Sequence, residues 1–379
     1  MDFSLSREQA ALRDSAAAFA RGALNDGVIE RDRQQSFSRD LWKRCGEFGI
    51  QSLPVPAQYG GKNAGGVAIM AALEGLGYGC KDNGLCFALN AHLWGCVMPL
   101  LLFGDARQKE RFVPALADGR SIGALAMSEP EAGSDAYAIR TRAERRDGKY
   151  ILNGHKVFVT NGPVADLFVV VATLGDPKSI SAFLIEKGQA GLTASPPVEK
   201  MGLRTAMMGE LRLENCAVPP ENRLGQEGGG LAVFAKAMEW ERGFILAPAL
   251  GAMQRQFEQC RQYARSRKQF GQAIGSFQHV SGKLVDMHLR LENCRALLYK
   301  VACLKGEERS TLLESAVAKL YVSESWVQSS QDALQIHGGH GYLTENEIER
   351  DLRDALASRI YSGTSEVQRK IIAQWLGLG

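Results

Sequence analysis

The order in which hydrophobic periodicities follow one another constrains the fold of this chain more than any other feature. Residues 1–120 repeat apolar side chains every three or four positions, the spacing of one helix face. Residues 121–225 contain short apolar runs of strand length, such as 167–172, and residues 226–379 return to helical spacing. This segregation is typical of an α+β protein and disfavours an alternating βαβ fold. We therefore expect an N-terminal all-α domain, a middle β-barrel domain and a C-terminal four-helix-bundle domain with those boundaries.

Local signals within these segments predict where individual elements begin and turn. Ser6 with Gln9 has the pattern of a capping box, and Ser38 is a candidate N-cap of a later helix. Asn153-Gly154 lies between two strand-like stretches and predicts a tight hairpin turn there. A single long helical pattern over 231–264 predicts the first helix of the C-terminal bundle.

The charge and hydropathy of the 379 residues exclude several classes of protein. Lys and Arg number 45 against 42 Asp and Glu, and the net charge of +3 is too small to indicate a nucleic-acid or membrane-surface partner. The longest uninterrupted apolar runs, 97–103 and 167–174, are shorter than the ~20 residues of a membrane span. The N-terminus, MDFSLSREQ, is too polar for a signal peptide. We expect a cytoplasmic protein without a membrane span.

Neither the cysteines nor the histidines form a metal or disulfide pattern in the sequence. The eight cysteines show no CxxC spacing, so unpaired thiols in a reducing compartment are expected. His337 and His340 flank Gly338-Gly339, which disfavours a helical metal pair, and no third ligand cluster is evident. No bound metal is expected.

The segment SEPEAGSD, residues 128–135, carries the first chemical signal. Its proline, glycine and two serines suit an exposed loop that offers backbone N–H and hydroxyl donors. Such a loop can hold a phosphate or the carbonyl of a ring. An ordinary turn between a helical and a β region is the alternative interpretation.

Together with further motifs, this loop and the α-β-α order resemble the acyl-CoA dehydrogenase family of flavoproteins. The resemblance spans essentially the whole chain, and several ordered motifs at family spacing are far more specific than any one of them. The motifs are HKVFVTNG at 155–162, RKQFG at 267–271 followed by Gln278, QIHGGHGY at 335–342 and RDALASRIYSGTSEVQ at 353–368.

The resemblance implies a bound FAD and assigns part of the chain to the flavin ring. Ser128 corresponds to the residue whose hydroxyl meets the pyrimidine edge, and Thr160 to the residue near N5, where hydride arrives. Phe158 stands where the family often has a tryptophan, and a phenyl ring can also cover an apolar ring face. The other expected cofactor contacts in this part are Met127, Gly133 and Ser134.

A second group of expected FAD contacts comes, by the same resemblance, from a neighbouring subunit. Arg267 suits the pyrophosphate because a guanidinium pairs well with phosphate oxygens. The other members of this group are Phe270, Gln278, Gln335, Gly338 and Gly339, while Thr364 and Glu366 correspond to residues near the phosphates or ribose. The resemblance therefore implies a homotetramer, built from two dimers, with one FAD per subunit.

The catalytic base is expected at a less common position of the family. Most members carry a glutamate where this chain has Ser362, which has no carboxylate. The isovaleryl-CoA and long-chain branches carry the glutamate on an earlier helix, before an arginine, and Glu241-Arg242 matches that pattern. Glu239 is an alternative, but two residues along a helix differ by about 200°, so both cannot face one site.

The implied reaction is α,β-dehydrogenation of an acyl thioester, in which Glu241 abstracts the α proton and flavin N5 takes the β hydride. A carboxylate shielded from water suits this role because desolvation raises its pKa towards neutrality. Arg242, Tyr361, Ser362 and Gly363 are expected to bind or orient the substrate. In this arrangement the backbone N–H of Ser362 donates to the thioester carbonyl.

The segment MGLRTAMMGEL, residues 201–211, bears on what carries the acyl group. Many CoA-dependent members have a Ser, Asp or Thr cluster after the arginine, whereas this chain has Ala206, Met207 and Met208. It therefore resembles members that act on acyl or aminoacyl groups tethered to carrier proteins, and we favour a carrier-protein thioester over CoA. An apolar packing loop is the alternative interpretation.

Other functions remain open on the sequence alone. An ordinary acyl-CoA dehydrogenase of fatty or branched-chain acid catabolism fits the same residues, as does a flavin oxidase or monooxygenase of the same fold. A catalytically silent scaffold is disfavoured by Glu241 and the intact flavin motifs. The expected electron acceptor is an electron-transfer flavoprotein or oxygen.

Overall fold

The computed structural model describes residues 4–378, and the side chains of residues 176–178 are outside that description. The predicted terminal domains include residues 1–3 and 379, and these ends lie outside the described residues. The chain runs through helices, then a sheet, then helices again. The predicted α+β fold class is therefore confirmed.

The N-terminal segment is helical, and its predicted caps are confirmed. Its helices are α1 (Arg7–Ala23), α2 (Val28–Gln34), α3 (Arg39–Phe48), α4 (Gly66–Gly79), α5 (Asn83–His92), α6 (Met98–Phe103) and α7 (Ala106–Ala117). Ser6 and Gln9 form a reciprocal capping box at the start of α1. The hydroxyl of Ser38 accepts a hydrogen bond from the N–H of Leu41 at 3.3 Å and so caps α3.

One helical stretch has the length and hydropathy of a membrane span. A π-helical turn, Leu93–Val97, joins α5 to α6, so that Asn83–Phe103 is continuous. The run 97–103 is therefore only the end of a longer apolar helix. The most apolar 18-residue window of Asn83–Phe103 is 78% buried inside the protein, as is common for the central helix of a folded core.

Two buried polar residues within that helix, Asn90 and His92, have hydrogen-bond partners. Asn90 donates to the carbonyl of Cys86 at 2.9 Å and accepts from the indole N–H of Trp94 at 2.8 Å. The Nδ1 of His92 accepts from the N–H of Gly123 at 2.8 Å, and burial lowers the pKa of His92 to about 3. His92 is therefore a neutral residue that ties this helix to the first strand.

The middle segment forms one eight-stranded sheet, which confirms the predicted all-β unit. Its strands are β1 (Gly123–Ala126), β2 (Arg142–Arg146), β3 (Lys149–Thr160), β4 (Leu167–Leu174), β5 (Asp176–Glu186), β6 (Leu192–Ala194), β7 (Met208–Val218) and β8 (Arg223–Leu224). Neighbouring strands follow the order β6-β7-β3-β2-β4-β5-β8, and β1 pairs with β4. The pairs β1/β4 and β2/β4 are parallel, and the other pairs are antiparallel.

The hairpin turn predicted at Asn153-Gly154 is wrong. The strand β3 continues through these residues, and the turn between β2 and β3 is formed by Asp147 and Gly148, which have φ of +50° and +73°. Gly154 is required for another reason: a Cβ there would lie 2.2 Å from the hydroxyl of Thr141. Asn153-Gly154 and Asp147-Gly148 both have a sequence that suits a tight hairpin turn. Contacts elsewhere in the fold therefore decide which of the two pairs forms the turn.

The C-terminal segment is a helical bundle whose first predicted helix is two helices. Its elements are α8 (Gly230–Phe244), α9 (Ala247–Ser266), the short hairpin β9 (Lys268–Gln269) and β10 (Gln272–Ala273), α10 (Gln278–Gly306), α11 (Leu312–His337), α12 (Ile348–Ala357) and α13 (Ser365–Trp375). The pattern over 231–264 breaks at residues 245–246, and Pro248 lies in the first turn of α9. Proline is tolerated there because a first-turn N–H has no helical acceptor.

The eight cysteines are free thiols, as predicted from their spacing. Seven are buried and behave as small apolar side chains, while Cys303 is exposed.

Candidate active site

The carboxylate of Glu241, in the C-terminal half of α8, meets a tight turn between α12 and α13. The hydroxyl of Ser362 donates to Oε1 of Glu241 at 2.5 Å. Burial raises the pKa of Glu241 above its ordinary value, opposed by this hydrogen bond and by the charges of Arg242 and Lys319. The structure thus brings together residues 241 and 362, the two positions that the sequence analysis compares as sites for the catalytic glutamate.

Backbone carbonyls of this 361–364 turn are held by three side chains. The Nε of Arg242 donates to the carbonyl of Ser362 at 3.0 Å, and the ammonium of Lys319 donates to the carbonyl of Gly363 at 2.7 Å. The amide of Gln368 donates to both carbonyls, at 3.2 and 2.9 Å. Ser362 and Gly363 have φ of +56° and +91°, a left-handed conformation that costs free energy for serine and needs such support.

Aromatic rings adjoin this turn. The ring centroids of Tyr361 and Phe87 are 4.5 Å apart, and the ammonium of Lys319 lies 5.9 Å from the centre of the Tyr361 ring. Burial raises the pKa of Tyr361, so its phenol stays neutral. The turn therefore combines apolar faces with a carboxylate and backbone polar groups.

Glu239 belongs to a different cluster, as the helical geometry predicts. Its buried carboxylate accepts hydrogen bonds from Lys236 at 2.9 Å, from Lys305 at 2.6 Å and from the N–H of Thr311 at 2.7 Å. Burial alone would raise its pKa, but these contacts outweigh burial and lower the pKa to about 2. A carboxylate held this way is a poor proton acceptor at neutral pH.

A buried ion pair joins the 128–135 loop to β3, and the sequence analysis did not identify it. The ammonium of Lys156 donates to Oε1 of Glu129 at 2.8 Å and to the carbonyl of Met127 at 3.0 Å. The N–H of Val157 donates to the carbonyl of Ser128 at 2.9 Å. Glu129 lies in the motif at 128–135 and Lys156 in the motif at 155–162. Membership of these motifs is the one sequence signal that could have indicated the pair. Through this pair, Met127 and Ser128 are fixed beside the strand that carries residues 158 and 160.

Phe158 is displayed on the surface by an irregularity of β3. The register between β3 and β7 shifts between Lys156 and Val159, and Phe158 has φ of +55° with 69% of its surface exposed. A strained, exposed aromatic residue within a strand has no packing reason in the chain itself. A flat aromatic ligand stacked on the phenyl ring would account for both features. Thr160, at the end of the same strand, is half-buried and pairs with Met208.

Other predicted cofactor residues lie on exposed segments. Gly133 and Ser134 are exposed in the 128–135 loop, and no atom lies within 4 Å of the position of a Cβ on Gly133. Thr364 caps α13 by accepting from the N–H of Val367 at 3.3 Å, and Glu366 is exposed in the first turn of that helix.

The residues expected to reach a neighbouring subunit form a second exposed region. The rings of Tyr263 and His337 stack at 4.4 Å and so bring the end of α9 next to the end of α11. Within this region the exposed predicted residues are Arg267, Phe270, Gln278, Gln335, Gly338 and Gly339. Among the described residues there is no group of three or more His, Cys, Asp or Glu side chains suited to a metal ion.

The segment 201–211, whose last four residues begin β7, is buried over most of its length, although Met201 is exposed. Ala206 and Met207 are buried, Thr205 donates to the carboxylate of Asp82, and the N–H of Leu203 donates to Asp354 at 2.5 Å. The apolar character of Ala206 and Met207 therefore has a packing reason. This weakens the sequence argument that the acyl group is attached to a carrier protein.

Known proteins and family models match this chain over nearly its whole length. Models of the acyl-CoA dehydrogenase N-terminal, middle and C-terminal domains match residues 6–120, 124–216 and 228–377. An L-prolyl peptidyl-carrier-protein dehydrogenase from Serratia sp. is 41% identical, covering 100% of this chain and 99% of the relative.

Two solved structures are also very similar. The prolyl acyl carrier protein oxidase AnaB is 54% identical with a TM-score of 0.98, covering 99% of this chain and 100% of that one. PigA with FAD and proline is 40% identical with a TM-score of 0.97, covering 100% of both chains.

The cluster around Glu239 predicts a stability defect that is separate from chemistry. Glu239→Gln leaves the ammonium of Lys305 buried without a counter-charge, so the free energy of unfolding should fall by about 3 kcal/mol at pH 7. Because the folded pKa is depressed, this contribution is present above the ordinary carboxyl pKa of 4.5 and is lost as pH falls towards about 2. Denaturant unfolding at pH 7 and at lower pH measures both effects.

The matched control is Glu307→Gln, which removes a carboxylate from an exposed pair with Arg309. It should change the free energy of unfolding by less than about 1 kcal/mol. Equal effects of the two substitutions would contradict the anchoring role of Glu239.

Proposed function

Because the chain belongs to the acyl-CoA dehydrogenase family, we propose that it removes an α and a β hydrogen from an aminoacyl thioester attached to a carrier protein. It is an FAD-dependent oxidoreductase that acts on a CH–CH group. The observation that carries the proposal is the half-buried carboxylate of Glu241 against the 361–364 turn.

The proposed acyl group is prolyl. The names of the Serratia relative and of AnaB both specify a prolyl group on a carrier protein, and PigA was solved with proline. The adjoining rings of Tyr361 and Phe87 offer an apolar surface suited to a small saturated ring. Because Ala206 and Met207 are buried, the 201–211 loop supports the carrier assignment less strongly than the relatives do.

Glu241 is proposed as the base that takes the α proton. Burial raises its pKa, so the carboxylate is a stronger proton acceptor than a solvated glutamate. The hydrogen bond from Ser362 and the nearby charges of Arg242 and Lys319 oppose this increase in pKa and favour the ionised carboxylate. Its proton-accepting activity should rise with pH as the carboxyl group loses its proton.

The 361–364 turn is proposed to hold the thioester. The carbonyls of Ser362 and Gly363 are engaged by Arg242, Gln368 and Lys319, which fixes the orientation of the peptide units of the turn. The backbone N–H of Ser362 would donate to the thioester carbonyl and stabilise the negative charge that develops on it. Tyr361 and Gly363 would line the same site.

The residues that would hold FAD fit an extended, flat and charged ligand. Phe158 offers an exposed ring face, Ser128 a hydroxyl, and Thr160 a hydroxyl at the end of the same strand. Bound FAD supplies the acceptor of the β hydrogen, which leaves as hydride. The other residues proposed for this cofactor are Met127, Gly133, Ser134, Thr364 and Glu366, with Arg267, Phe270, Gln278, Gln335, Gly338 and Gly339 serving a neighbouring subunit.

The proposal extends to assembly and location. Exposure of the side chains of Arg267 and Phe270 supports a homotetramer in which each subunit completes its neighbour's cofactor site. We assign the domains to residues 1–120, 121–225 and 226–379, and we place the enzyme in the cytoplasm.

The electron acceptor divides the proposal into two candidate activities. The family resemblance favours an electron-transfer flavoprotein, which makes the enzyme a dehydrogenase. The name of AnaB, an oxidase that is 54% identical to this chain, favours oxygen. Oxygen uptake during turnover, without an added acceptor, would identify the oxidase.

Substitution of the proposed base tests the chemistry. Glu241→Gln keeps the shape of the side chain and should slow anaerobic flavin reduction by about 10²–10⁴-fold, the usual contribution of general base catalysis. Ser362→Ala is the matched control and should cost far less, because it removes one hydrogen bond to the carboxylate of Glu241 but leaves that carboxylate and the backbone N–H of residue 362 in place. Stopped-flow absorbance measures the rate, and near-normal reduction in Glu241→Gln would contradict the assignment.

In the Glu241→Gln enzyme, a carboxylate can be introduced at position 362 instead of position 241. Ser362→Glu combined with Glu241→Gln should recover part of the lost rate, because the hydroxyl of Ser362 already contacts the carboxylate of Glu241.

The acyl carrier is tested by competition between two thioesters of proline. The carrier-protein thioester should have a higher kcat/KM than prolyl-CoA, with product identified by mass spectrometry and oxygen uptake recorded in the same assay. A higher kcat/KM for the CoA ester would make ordinary acyl-CoA dehydrogenation the correct description.

The shared cofactor site is tested by Arg267→Ala. Loss of a charge-assisted contact should weaken FAD retention by about 1.5–3 kcal/mol without unfolding a subunit. Flavin absorbance after dialysis gives retention, and sedimentation gives assembly. A monomer that retains all its FAD would contradict the shared site.

A further inference from the structure

Lys319, in α11, is a buried cation that lacks a direct ion pair. Its side chain is fully buried, and its ammonium donates to the carbonyl of Gly363 at 2.7 Å. Among the side chains that the structure describes, no carboxylate oxygen lies within 4.0 Å of this ammonium. Lys156, which is also fully buried, differs because it pairs with Glu129 at 2.8 Å, and the partly buried Lys305 pairs with Glu239 at 2.6 Å.

The charged groups around Lys319 come from several elements. Glu241 and Arg242 face it from α8, Glu324 lies on its own helix, and Glu366 lies on α13. Burial lowers the pKa of Lys319 to about 7; Arg242 adds to the lowering, and the three carboxylates oppose it. The ring of Tyr361 completes the surroundings.

A lysine in this environment is a cost to the fold. Removing an ammonium from water without a paired carboxylate costs free energy that one hydrogen bond and one aromatic ring only partly offset. The carbonyl of Gly363 also accepts from Gln368, so the turn does not depend on Lys319 alone. A residue that costs stability while facing the proposed base is better explained by the reaction than by folding.

We propose that Lys319 is a positioning residue for the reaction, whose ammonium fixes the carbonyl of Gly363 and whose charge favours the ionised form of Glu241. The inference rests on the proposed function, because it assigns Lys319 a role towards the base of that reaction. Lys319 acts through Glu241 and the 361–364 turn and needs no contact with the substrate.

The charge of Lys319 predicts a particular pH profile. Flavin reduction should rise with pH as Glu241 ionises and fall again as Lys319 loses its proton at a pH near 7. Without the cation, the rising limb should move to higher pH by about one unit, because a nearby opposite charge favours the ionised carboxylate. With a cation that does not titrate, the falling limb should disappear while the rising limb stays in place.

The experiment compares the wild-type holoenzyme with Lys319→Met and Lys319→Arg. Anaerobic stopped-flow reduction by the prolyl carrier-protein thioester is measured from pH 5.5 to 9.5, and thermal unfolding is measured at pH 6 and 9. Lys319→Met should be about 10-fold slower at neutral pH, the effect of a one-unit change in the pKa of the base, with its rising limb shifted upward and with unchanged or higher thermal stability at pH 6. Lys319→Arg should reduce flavin readily and lack the falling limb.

Lys283→Met is the matched control. It removes an ammonium on α10 that pairs with Asp332 of α11, the helix of Lys319, but lies away from the 361–364 turn. Its pH profile should equal that of the wild type. A Lys319→Met profile that also equals the wild type, or a Lys319→Arg profile that keeps the falling limb, would overturn the proposal. If Lys319→Met does not fold, the Lys319→Arg profile decides alone. A wild-type enzyme that is not reduced by any thioester would instead refute the proposed function.

Discussion

The packing of one helix, α11, holds the active-site contact in place. The carboxylate of Glu241 and the hydroxyl of Ser362 belong to residues 121 positions apart, so their meeting depends on a common support. From α11, Lys319 holds the carbonyl of Gly363 and Glu324 accepts a hydrogen bond from Ser365 at 2.7 Å. On the other side, α8 lies close to α11, since a Cβ on Gly243 would approach the hydroxyl of Ser315 to 3.2 Å. Glu241 and the 361–364 turn are therefore fixed against the same helix.

Buried polar side chains connect the three parts of the chain around that support. Asn161, at the end of β3, donates to the carbonyl of Ala88 at 3.0 Å and so ties the sheet to α5. Asn83, at the start of α5, donates to Asp351 at 2.8 Å and to Asp354 at 3.0 Å on α12. Such bonds are costly to leave unmade in a dry interior, so they specify one arrangement of the parts. The strand that carries Phe158 and Thr160 and the helix that carries Glu241 thereby keep a defined relation.

The sequence was sufficient where one local pattern determines the outcome. Helix periodicity separated Glu239 from Glu241, and the structure indeed places Glu239 among lysines. Pattern reasoning failed where distant contacts decide. Asn153-Gly154 has the chemistry of a hairpin turn, yet Gly154 serves close packing on Thr141. The ion pair of Glu129 with Lys156 joins residues 27 positions apart, and no local rule pairs two such charges in advance.

The central claim, that Glu241 takes the α proton, is tested most directly by isolating that step from oxidation. A 3,3-dimethylprolyl carrier-protein thioester has no β hydrogen, so it can lose its α proton but cannot be dehydrogenated across its α and β carbons. In D₂O, mass spectrometry of the recovered thioester measures enzyme-catalysed α exchange. Deuterium uptake with the wild type and its loss in a folded, FAD-containing Glu241→Gln enzyme is the predicted result. Equal uptake with both enzymes would contradict the account.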